Sequence, residues 1–382
     1  MAPSDPTTHY KNHRFPVEII SHAVWLYFRF CLSFRDVEEL LFERGVVVTY
    51  EAVRKWCRKF GQQYANQLRR RRPRPGDKWH LDEMILRIKG ERHYLWRAVD
   101  QEGNVLDILV QRRRDKAAAK KFFRKLLKGH CQLVGAHTVW QSCGMDTPPD
   151  TTKYKNHRFP VEIISHAVWL YFRFCLSFRD VEELLFERGV VVTYEAIRKW
   201  CHKFGQHYAN QLRRRRPRPG DKWHLDEVFL TIKGEGQYLW RAVDQDGNVL
   251  DILVQRRRDK RAAKKFFRKL LKGLTYVPRV IITDKLKSYG AAKREILPGV
   301  EHRQHRYLNN RAENSHQPTR QREQHMQRFK SPGHAQRFLS ACGPIAQHFR
   351  PRRHRWSAPA YRQELRERFH VWREITTPAL AA

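Results

Sequence analysis

The sequence lacks the apolar segments that membrane and secreted proteins need. Its longest apolar run is far shorter than a bilayer span, and the N-terminus, MAPSDPTTHYKNHRFP, has no apolar signal core. Its seven cysteines include no Cys-x-x-Cys pair, so neither a zinc site nor a disulfide framework is expected. These absences predict a cytoplasmic protein with reduced thiols and no membrane partner.

Acidic residues are scarce relative to basic ones. Only 39 Asp and Glu stand against 76 Lys and Arg, which gives a formal net charge of +37. Because so much like charge repels itself in a folded protein, it predicts a polyanionic partner, with nucleic acid as the first candidate. Hydrophobic residues make up 41% of the chain and aromatic residues 12%, enough for packed cores, so disorder throughout is excluded.

A long internal repeat is present. Residues 10–129 realign with residues 154–273 at a shift of 144, with about ten substitutions. The unit is far longer than the roughly 20–50 residues of a solenoid repeat, and we interpret it as a recent gene duplication. The segment that begins at Met145 aligns with the N-terminus, and the first copy loses register after Gly129. We therefore predict a truncated copy fused ahead of a complete one, with a functional tandem array as the alternative.

Residues 160–212 show the spacing of three helices. Ser177 and Asp180 predict a capping box, Gly189 predicts the end of that helix, and Thr193 predicts the cap of the next. Three short helices with a basic last one indicate a DNA-binding helix-turn-helix, and a plain helical bundle with a solvated charged face is the alternative. The basic face of the last helix consists of Arg198, Lys199 and His202.

A run of four arginines with two prolines follows, in LRRRRPRPGDK at residues 212–222. Since such a segment cannot enter a core, we predict an extended basic strap that contacts a phosphate backbone. A solvated linker between domains is the alternative. The strap residues assigned to DNA are Arg213, Arg214, Arg215 and Arg216.

After this segment the hydrophobic period changes from that of a helix to that of a strand. Three sequential antiparallel strands are predicted first, followed by alternating helices and strands. The resulting order, βββαβαβα, is that of a ribonuclease-H-like α/β fold. The predicted elements are strands at 223–234, 237–248 and from 249, a helix at 260–273, a strand at 279–284, a helix at 291–297, a strand at 300–307 and a final helix.

Three acids stand out by their positions in these elements. Asp226 lies within the first strand, Asp284 ends the fourth, and Glu313 lies in the helix after the fifth. The first and fourth strands of such a sheet are neighbours, so the three carboxylates should meet, and they would repel one another unless divalent cations neutralise them. Carboxylate oxygens suit Mg²⁺ or Mn²⁺, and two ions are expected. Glu227 is excluded because strand alternation turns it to the other face.

Three motifs resemble those of DDE transposases of bacterial insertion sequences, specifically the IS-six family. They are KWHLDE, IITDKLKSYG and EHRQHRYLNNRAENSHQPTR. The resemblance covers residues 145 to about 350 and implies a helix-turn-helix followed by a ribonuclease-H-like catalytic domain. It implies Asp226, Asp284 and Glu313 as the catalytic and metal-binding acids. Arg320 matches the family's basic residue seven positions after the Glu, although Pro318 argues against one helix that carries both.

The resemblance also implies an activity and its partners. These are binding of element ends, cleavage of the 3′ strand and strand transfer to target DNA, by a homo-oligomer on double-stranded DNA in the bacterial cytoplasm and nucleoid. The first copy carries Asp82 at the place of Asp226 but no partner acids, so it should be inactive. A nuclease that cuts without joining and a DNA-binding repressor are the alternatives.

The predicted boundaries follow from these assignments. The incomplete first copy should expose an unpaired sheet edge, and its strands 79–111 could replace strands 223–255 by domain swapping. The domains are a helix-turn-helix at 1–75, a partial ribonuclease-H-like fragment at 76–129, a junction at 130–152, a helix-turn-helix with basic linker at 153–218, a catalytic domain at 219–330 and a basic C-terminal segment at 331–382.

Overall fold

The computed structural model of the chain describes residues 13–70, 78–101, 103, 105–128, 158–216, 218–274, 276–284, 286–351 and 356–376. The predicted junction at 130–152 lies outside these residues. The chain divides into two units, and the boundary does not follow the repeat. One unit comprises Met1–Val24 with Glu51–Gln141, and the other comprises Trp25–Tyr50 with Ser142–Ala382.

The two copies contain matching elements up to the end of the repeat. Those of the first copy are α1 Val17–Arg29, α2 Phe34–Glu43, α3 Tyr50–Arg70, β1 Trp79–Ile88, β2 Glu91–Asp100, β3 Val105–Gln111 and α4 Lys116–Lys128. Those of the second copy are α5 Val161–Arg173, α6 Phe178–Glu187, α7 Tyr194–Arg215, β4 Lys222–Ile232, β5 Glu235–Asp244, β6 Val249–Gln255 and α8 Lys260–Leu274.

The second copy then continues into elements that have no equivalent in the first. They are β7 Val280–Thr283, α9 Lys287–Ile296, β8 Glu301–Gln304, a 3₁₀ turn at Arg306–Asn309, α10 Asn310–Ser315, α11 Gln317–His325, α12 Pro332–His348 and α13 Ala358–Thr376. The predicted order of strands and helices is therefore confirmed. The predicted helix at 291–297 begins earlier, and the strand at 300–307 is shorter than expected.

The caps of α6 and α7 are the ones that the sequence predicts. The Ser177 hydroxyl accepts from the Asp180 amide, and the Asp180 carboxylate accepts from the Ser177 amide at 2.8 Å. Gly189 follows α6 with φ of +77°, a conformation that glycine adopts without strain. The Thr193 hydroxyl accepts from the Ala196 amide at the start of α7. Helices α5, α6 and α7 pack against one another.

The extended strap predicted for residues 212–222 is wrong at its N-terminal end. Helix α7 continues through Arg215, because arginine is a good helix former and Leu212 is buried. The Arg213 guanidinium donates to the Ser340 carbonyl at 2.9 Å, and that of Arg216 donates to the Val249 carbonyl at 3.1 Å. Arg214 and Arg215 are exposed, and Arg215 pairs with Glu374.

A mixed five-stranded sheet forms the centre of the second copy, in the order β6-β5-β4-β7-β8. The pairs β4–β5 and β5–β6 are antiparallel, whereas β4–β7 and β7–β8 are parallel. The predicted neighbours, the first and fourth strands, are therefore adjacent. One face of the sheet packs on α8 and α9 around Trp240, Phe266 and Tyr289, which are fully buried.

Helix α12 covers the edge strand β6. The Gln347 side-chain oxygen accepts from the Val249 amide at 2.9 Å, and that of Gln336 accepts from the Val254 amide at 2.8 Å. Amides on a sheet edge otherwise need water or another strand as a partner. The C-terminal segment thus completes the sheet domain and also packs against α5 and α7.

In the part of the first copy that the structure describes, the sheet has three strands, β1-β2-β3, without counterparts of β7 and β8. Leu81 of β1 is 41% exposed, whereas the matching Leu225 of β4 is 0% exposed. The predicted exposed edge and apolar face are therefore confirmed. The second copy supplies all five strands of its own sheet, so the structure does not contain the domain swap. Within the described residues no helix combines the length and the apolar character of a membrane span.

The equivalent residues Leu81 and Leu225 lie in different surroundings. Substituting each of them tests how much stability the strands beside β4 add. Leu225→Ala should destabilise the protein by about 2–5 kcal/mol, because it opens a cavity in a packed core. Leu81→Ala should change stability by less than about 0.5 kcal/mol, the usual effect at an exposed position. Urea unfolding followed by tryptophan fluorescence measures both. Equal effects of the two substitutions would show that the edge of β1 is covered.

Candidate active site

Three separate elements bring the acids of the predicted triad into one cleft. Asp226 lies in β4, Asp284 directly follows β7, and Glu313 lies in α10. The cleft has a volume of about 870 Å³. The residues that line it are Asp226, Glu227, Val228, Asp284, His305, Asn309, Glu313, Asn314, His316, Gln317 and Arg320.

The parallel pairing of β4 with β7 explains why the two aspartates meet. Leu225 lies opposite Thr283 in this pairing, so the next residue of each strand emerges at the same end of the sheet. The start of α10 is held to the same strand, because the side-chain Nδ2 of Asn309 donates to the Leu225 carbonyl at 2.8 Å. The Asn309 side chain makes no capping hydrogen bond at the start of α10.

A buried arginine ties the sheet to the helices that carry Glu313 and Arg320. Arg241 lies opposite Asp226 in the β4–β5 pairing. Its guanidinium donates to the Ser315 carbonyl and the Thr319 hydroxyl, which lie on either side of the break between α10 and α11. Pro318 lies at the second position of α11. The break at His316 replaces one continuous helix, yet Glu313 and Arg320 both line the cleft.

Burial and neighbouring carboxylates raise the pKa of Asp226. The pKa of Asp226 is raised to about 7, first by burial and then by the negative charges of Glu227, Asp284 and Glu313. Ligand oxygens of Asp226, Glu227 and Asp284 lie within 4.8 Å of one another. A carboxylate cluster of this kind favours the binding of a cation, because the positive charge offsets the repulsion between the carboxylates.

The exclusion of Glu227 from the site is wrong. Glu227 does face α9, where the Tyr289 hydroxyl donates to Oε2 at 2.7 Å. Its carboxylate nevertheless reaches Asp226 and Asp284, because all three lie at the end of the sheet. The Arg258 guanidinium donates to Glu227 Oε1 at 2.6 Å and lies 3.8 Å from Asp284 Oδ2. Alternation along a strand predicts the face of a side chain, but not how far a long carboxylate reaches.

His316 is a residue of this cleft that the sequence did not reveal. Its Nε2 lies 3.5 Å from Asp226 Oδ2, and its ring is 3% exposed. Burial and the charges of Arg241 and Arg320 lower its pKa well below the usual range, so the ring is neutral. No feature of the sequence distinguishes His316 from the other histidines nearby, since only the helix break turns it towards Asp226.

Known proteins share these motifs. A family model for the DDE domain matches residues 76–134 and 220–352, and thus parts of both copies. The chain is 32% identical over 168 residues to the transposase for insertion sequence-like element IS431mec of Staphylococcus aureus, across 43% of the chain and 75% of that protein. It is 31% identical, over the same shares, to the transposase for insertion sequence element IS257 in transposon Tn4003 of the same organism. The chain belongs to the IS-six family of DDE transposases.

Two weaker likenesses accompany these matches. An uncharacterized protein of Yersinia pseudotuberculosis is 36% identical over 72 residues, which are 18% of this transposase and 67% of that protein. A chain of the simian T-cell lymphotropic virus intasome in complex with PP2A regulatory subunit B56 gamma is 15% identical, with a TM-score of 0.26. It covers 41% of the transposase and 63% of that chain.

The basic residues assigned to DNA do not lie in the cleft, except for Arg320. Arg198, Lys199 and His202 are exposed on α7, and Arg198 pairs with Glu195 of the same helix at 2.8 Å. Arg213 and Arg216 are directed towards backbone carbonyls of the transposase itself. The exposed basic surface of α7 therefore has two parts, one near its start and one at Arg214 and Arg215.

The donor set of the cleft fits a divalent cation. It offers hard carboxylate oxygens from the ends of two neighbouring strands, and these oxygens lie within 4.8 Å of one another. Asp226, Glu227 and Asp284 could hold such an ion directly. Glu313 lies outside this close group but near enough for its charge to raise the pKa of Asp226.

Replacing Asp226 tests whether its buried negative charge lowers the stability of the folded protein. The pKa of Asp226 in the folded protein, about 7, exceeds the ordinary aspartate value of 3.8, so stability is lost as pH rises between these values. At pH 8 without cations, Asp226→Asn should raise Tm by a few degrees, since about 1 kcal/mol corresponds to about 2–4 °C at this size. At pH 3.5 the gain should vanish. Differential scanning calorimetry measures both.

The same calorimetry with Mg²⁺ or Mn²⁺ tests the cation site. The ion should stabilise the unaltered transposase at pH 8 and do so less as pH falls through about 7, because protons compete for Asp226. Asp226→Asn should lose most of this stabilisation, whereas the matched substitution Asp82→Asn in the first copy should keep it. Equal stabilisation of the Asp226→Asn protein would remove Asp226 from the cation site.

Proposed function

We propose that this transposase binds the ends of its insertion sequence and catalyses DNA strand cleavage and strand transfer at the acidic cleft. The observation that carries the proposal is the convergence of Asp226, Asp284 and Glu313 on one cleft from β4, β7 and α10. The sheet order and the helices around it support a ribonuclease-H-like core. The names of its relatives, transposases for insertion sequences, support double-stranded DNA as substrate.

The proposed cofactor is Mg²⁺ or Mn²⁺, and we infer two ions held by Asp226, Asp284 and Glu313. When bound, such ions lower the pKa of an attacking hydroxyl and stabilise the leaving oxygen in phosphoryl transfer. Glu227 stays engaged by Tyr289 and Arg258 on the far side of the strand. It therefore orients Arg258 towards Asp284, and its carboxylate stays close enough to Asp226 and Asp284 to share an ion with them.

The chain's own residues then position the DNA. Arg320 lines the cleft beside Glu313 and offers planar donors that suit a phosphate. Neutral His316 lies against Asp226 and adds no charge to the site. Arg241 holds the break between α10 and α11, and so fixes Glu313 and Arg320 on one side of the cleft.

Recognition of the element ends is assigned to α5, α6 and α7 as a helix-turn-helix. The mutual packing of the three helices and the exposed basic face of α7 support this role. The proposed assembly is a homo-oligomer on DNA, in the bacterial cytoplasm and nucleoid. The first copy is proposed to be inactive, because Asp82 is exposed on a sheet without a counterpart of β7.

Substitutions in the triad test the chemistry. Asp284→Asn and Glu313→Gln should each lower cleavage and joining at least about 100-fold, the scale for losing one group that stabilises a transition state. Binding of the ends should change little. The assay uses a duplex that carries the element end, with gel separation of cut and joined products. Asp82→Asn is the matched control, and normal strand transfer by Asp284→Asn would refute the assignment.

The same assay separates the rival functions. A nuclease would give cut ends without joined products, and a repressor would bind the ends without cutting them. The helix-turn-helix favours the transposase, because reading a duplex end is required for transposition and not for an unspecific nuclease. Joined products that depend on an element end and on a divalent cation would exclude both alternatives.

Removal of basic residues from α7 tests the DNA interface. Arg198→Ala with Lys199→Ala should weaken end binding and reduce the slope of log affinity against log salt by up to about two, because each lost phosphate contact lowers it by about one. Gel-shift titrations at several salt concentrations measure the slope. Lys269→Ala, on α8 and paired with Asp251, is the control for charge alone. Equal slopes for both variants would place the interface elsewhere.

A further inference from the structure

Residues 25–50 of the first copy belong to the same unit as the second copy. Within this unit, arginines of each copy meet acids of the other. The Arg29 Nε donates to Glu183 Oε1 at 3.0 Å, and the Arg173 Nε donates to Glu39 Oε1 at 2.9 Å. Arg173 is the repeat equivalent of Arg29, and Glu183 is that of Glu39. The two ion pairs are therefore one contact made twice, in opposite directions.

Two further contacts repeat in the same reciprocal way. The first joins the arginine to the N-terminal turn of the opposite helix, with Arg29 3.8 Å from Asp180 and Arg173 3.5 Å from Asp36. The second lies at the other end of the helices. Arg44 is 2.7 Å from Glu187, and Arg188 is 3.2 Å from Glu43.

Such reciprocity defines an isologous contact. When residue i of one copy meets residue j of another, and j of the first meets i of the second, a two-fold axis relates them. A chance contact between two helical segments would not pair three sets of equivalent residues in both directions. The residues of the surface are, in the second copy, Arg173, Asp180, Glu183, Glu187 and Arg188, which we call the α6 surface.

The two ends of this contact differ in burial, and the difference follows from the truncation. The side chains of Arg173 and Glu39 are 5% and 3% exposed, whereas those of Arg29 and Glu183 are 47% and 37% exposed. The Arg173 charge is the main cause that lowers the pKa of Arg350, so the C-terminal segment lies close to the buried end. The first copy has no such segment, and its arginine stays open to solvent.

We propose that the α6 surface is a self-association surface of the complete transposase, and that in this chain the truncated copy occupies it in cis. The partner is a second copy of the same sequence. Between two complete copies both ends of the contact would gain the cover that only Arg173 has here. The half-copy, which fills the surface, would keep a second chain from pairing there.

Nicking the full chain after folding tests the cis contact. A protease site inserted between residues 130 and 152 allows the cut, and a C-terminal tag retains the second copy. The N-terminal fragment should stay bound to the tagged one. Arg29→Glu with Arg44→Glu should weaken this retention at least about tenfold, since close interfacial charge pairs couple by about 1.5 kcal/mol or more and about 1.4 kcal/mol is tenfold.

Charge reversal at the opposite residue is the decisive control. Adding Glu183→Arg to the Arg29→Glu, Arg44→Glu chain should restore at least part of the retention, because one crossed pair forms again with inverted signs. Arg54→Glu makes the same charge change in the first copy at an ion pair within α3, and it should leave retention unchanged. Far-UV circular dichroism verifies that each variant keeps its helices, which is expected because Arg29 and Glu183 are partly exposed.

The uncut chains test self-association in trans by analytical ultracentrifugation. The Arg29→Glu, Arg44→Glu chain leaves the α6 surface intact but unoccupied, so it should sediment as a concentration-dependent dimer relative to the unaltered chain. Adding Glu183→Arg should reverse this shift, since Arg173 would then face an arginine in the second chain. Unchanged retention of the reversed fragment, or a reversed chain that sediments like the unaltered one, would overturn the proposal.

Discussion

The parallel pairing of β4 with β7 brings Asp226 and Asp284 to the same end of one sheet. Every other feature of the cleft is arranged around that pairing. The hydrogen bond from Asn309 to Leu225 starts α10 beside it, and the bonds of Arg241 hold the break after Glu313. Strand β1 of the first copy corresponds to β4, but among the described residues no equivalent of β7 pairs with it. Its acid, Asp82, remains exposed.

Buried arginines join the helical part to the sheet. Arg322 of α11 is 5% exposed and donates to the Tyr171 and Phe174 carbonyls at the end of α5. Carbonyls at a helix end have no partner within the helix, so the arginine satisfies them while it also stacks on Tyr171. Burying a guanidinium is costly, and these two hydrogen bonds offset part of that cost, although the Arg322 Nε has no hydrogen-bond partner among the described residues. Helix α11 is thereby fixed to α5 within the second unit.

The repeat places nearly the same sequence in two environments. Equivalent residues therefore differ in burial because of their surroundings and not because of their identity. Leu225 is fully buried and Leu81 is not, although their strands have the same neighbours in sequence. Arg173 is buried and Arg29 is half exposed for a similar reason, since only the second copy continues into a C-terminal segment. Local capping, by contrast, is the same in both copies: Ser33 and Asp36 form the same capping box as Ser177 and Asp180.

The sequence by itself determined the helix caps and the order of strands and helices, because these depend on local periodicity. It also indicated the three acids, whose motifs occur together only in the second copy. It did not determine which residues share the cleft with those acids. Glu227 and His316 enter it through the reach of a side chain and the break of a helix. Arg213 and Arg216 donate to the carbonyls of Ser340 in α12 and Val249 in β6, contacts that the sequence did not predict. Tertiary structure alone decided these points, since each depends on groups more than 25 residues away in the chain or on a bend that periodicity does not predict.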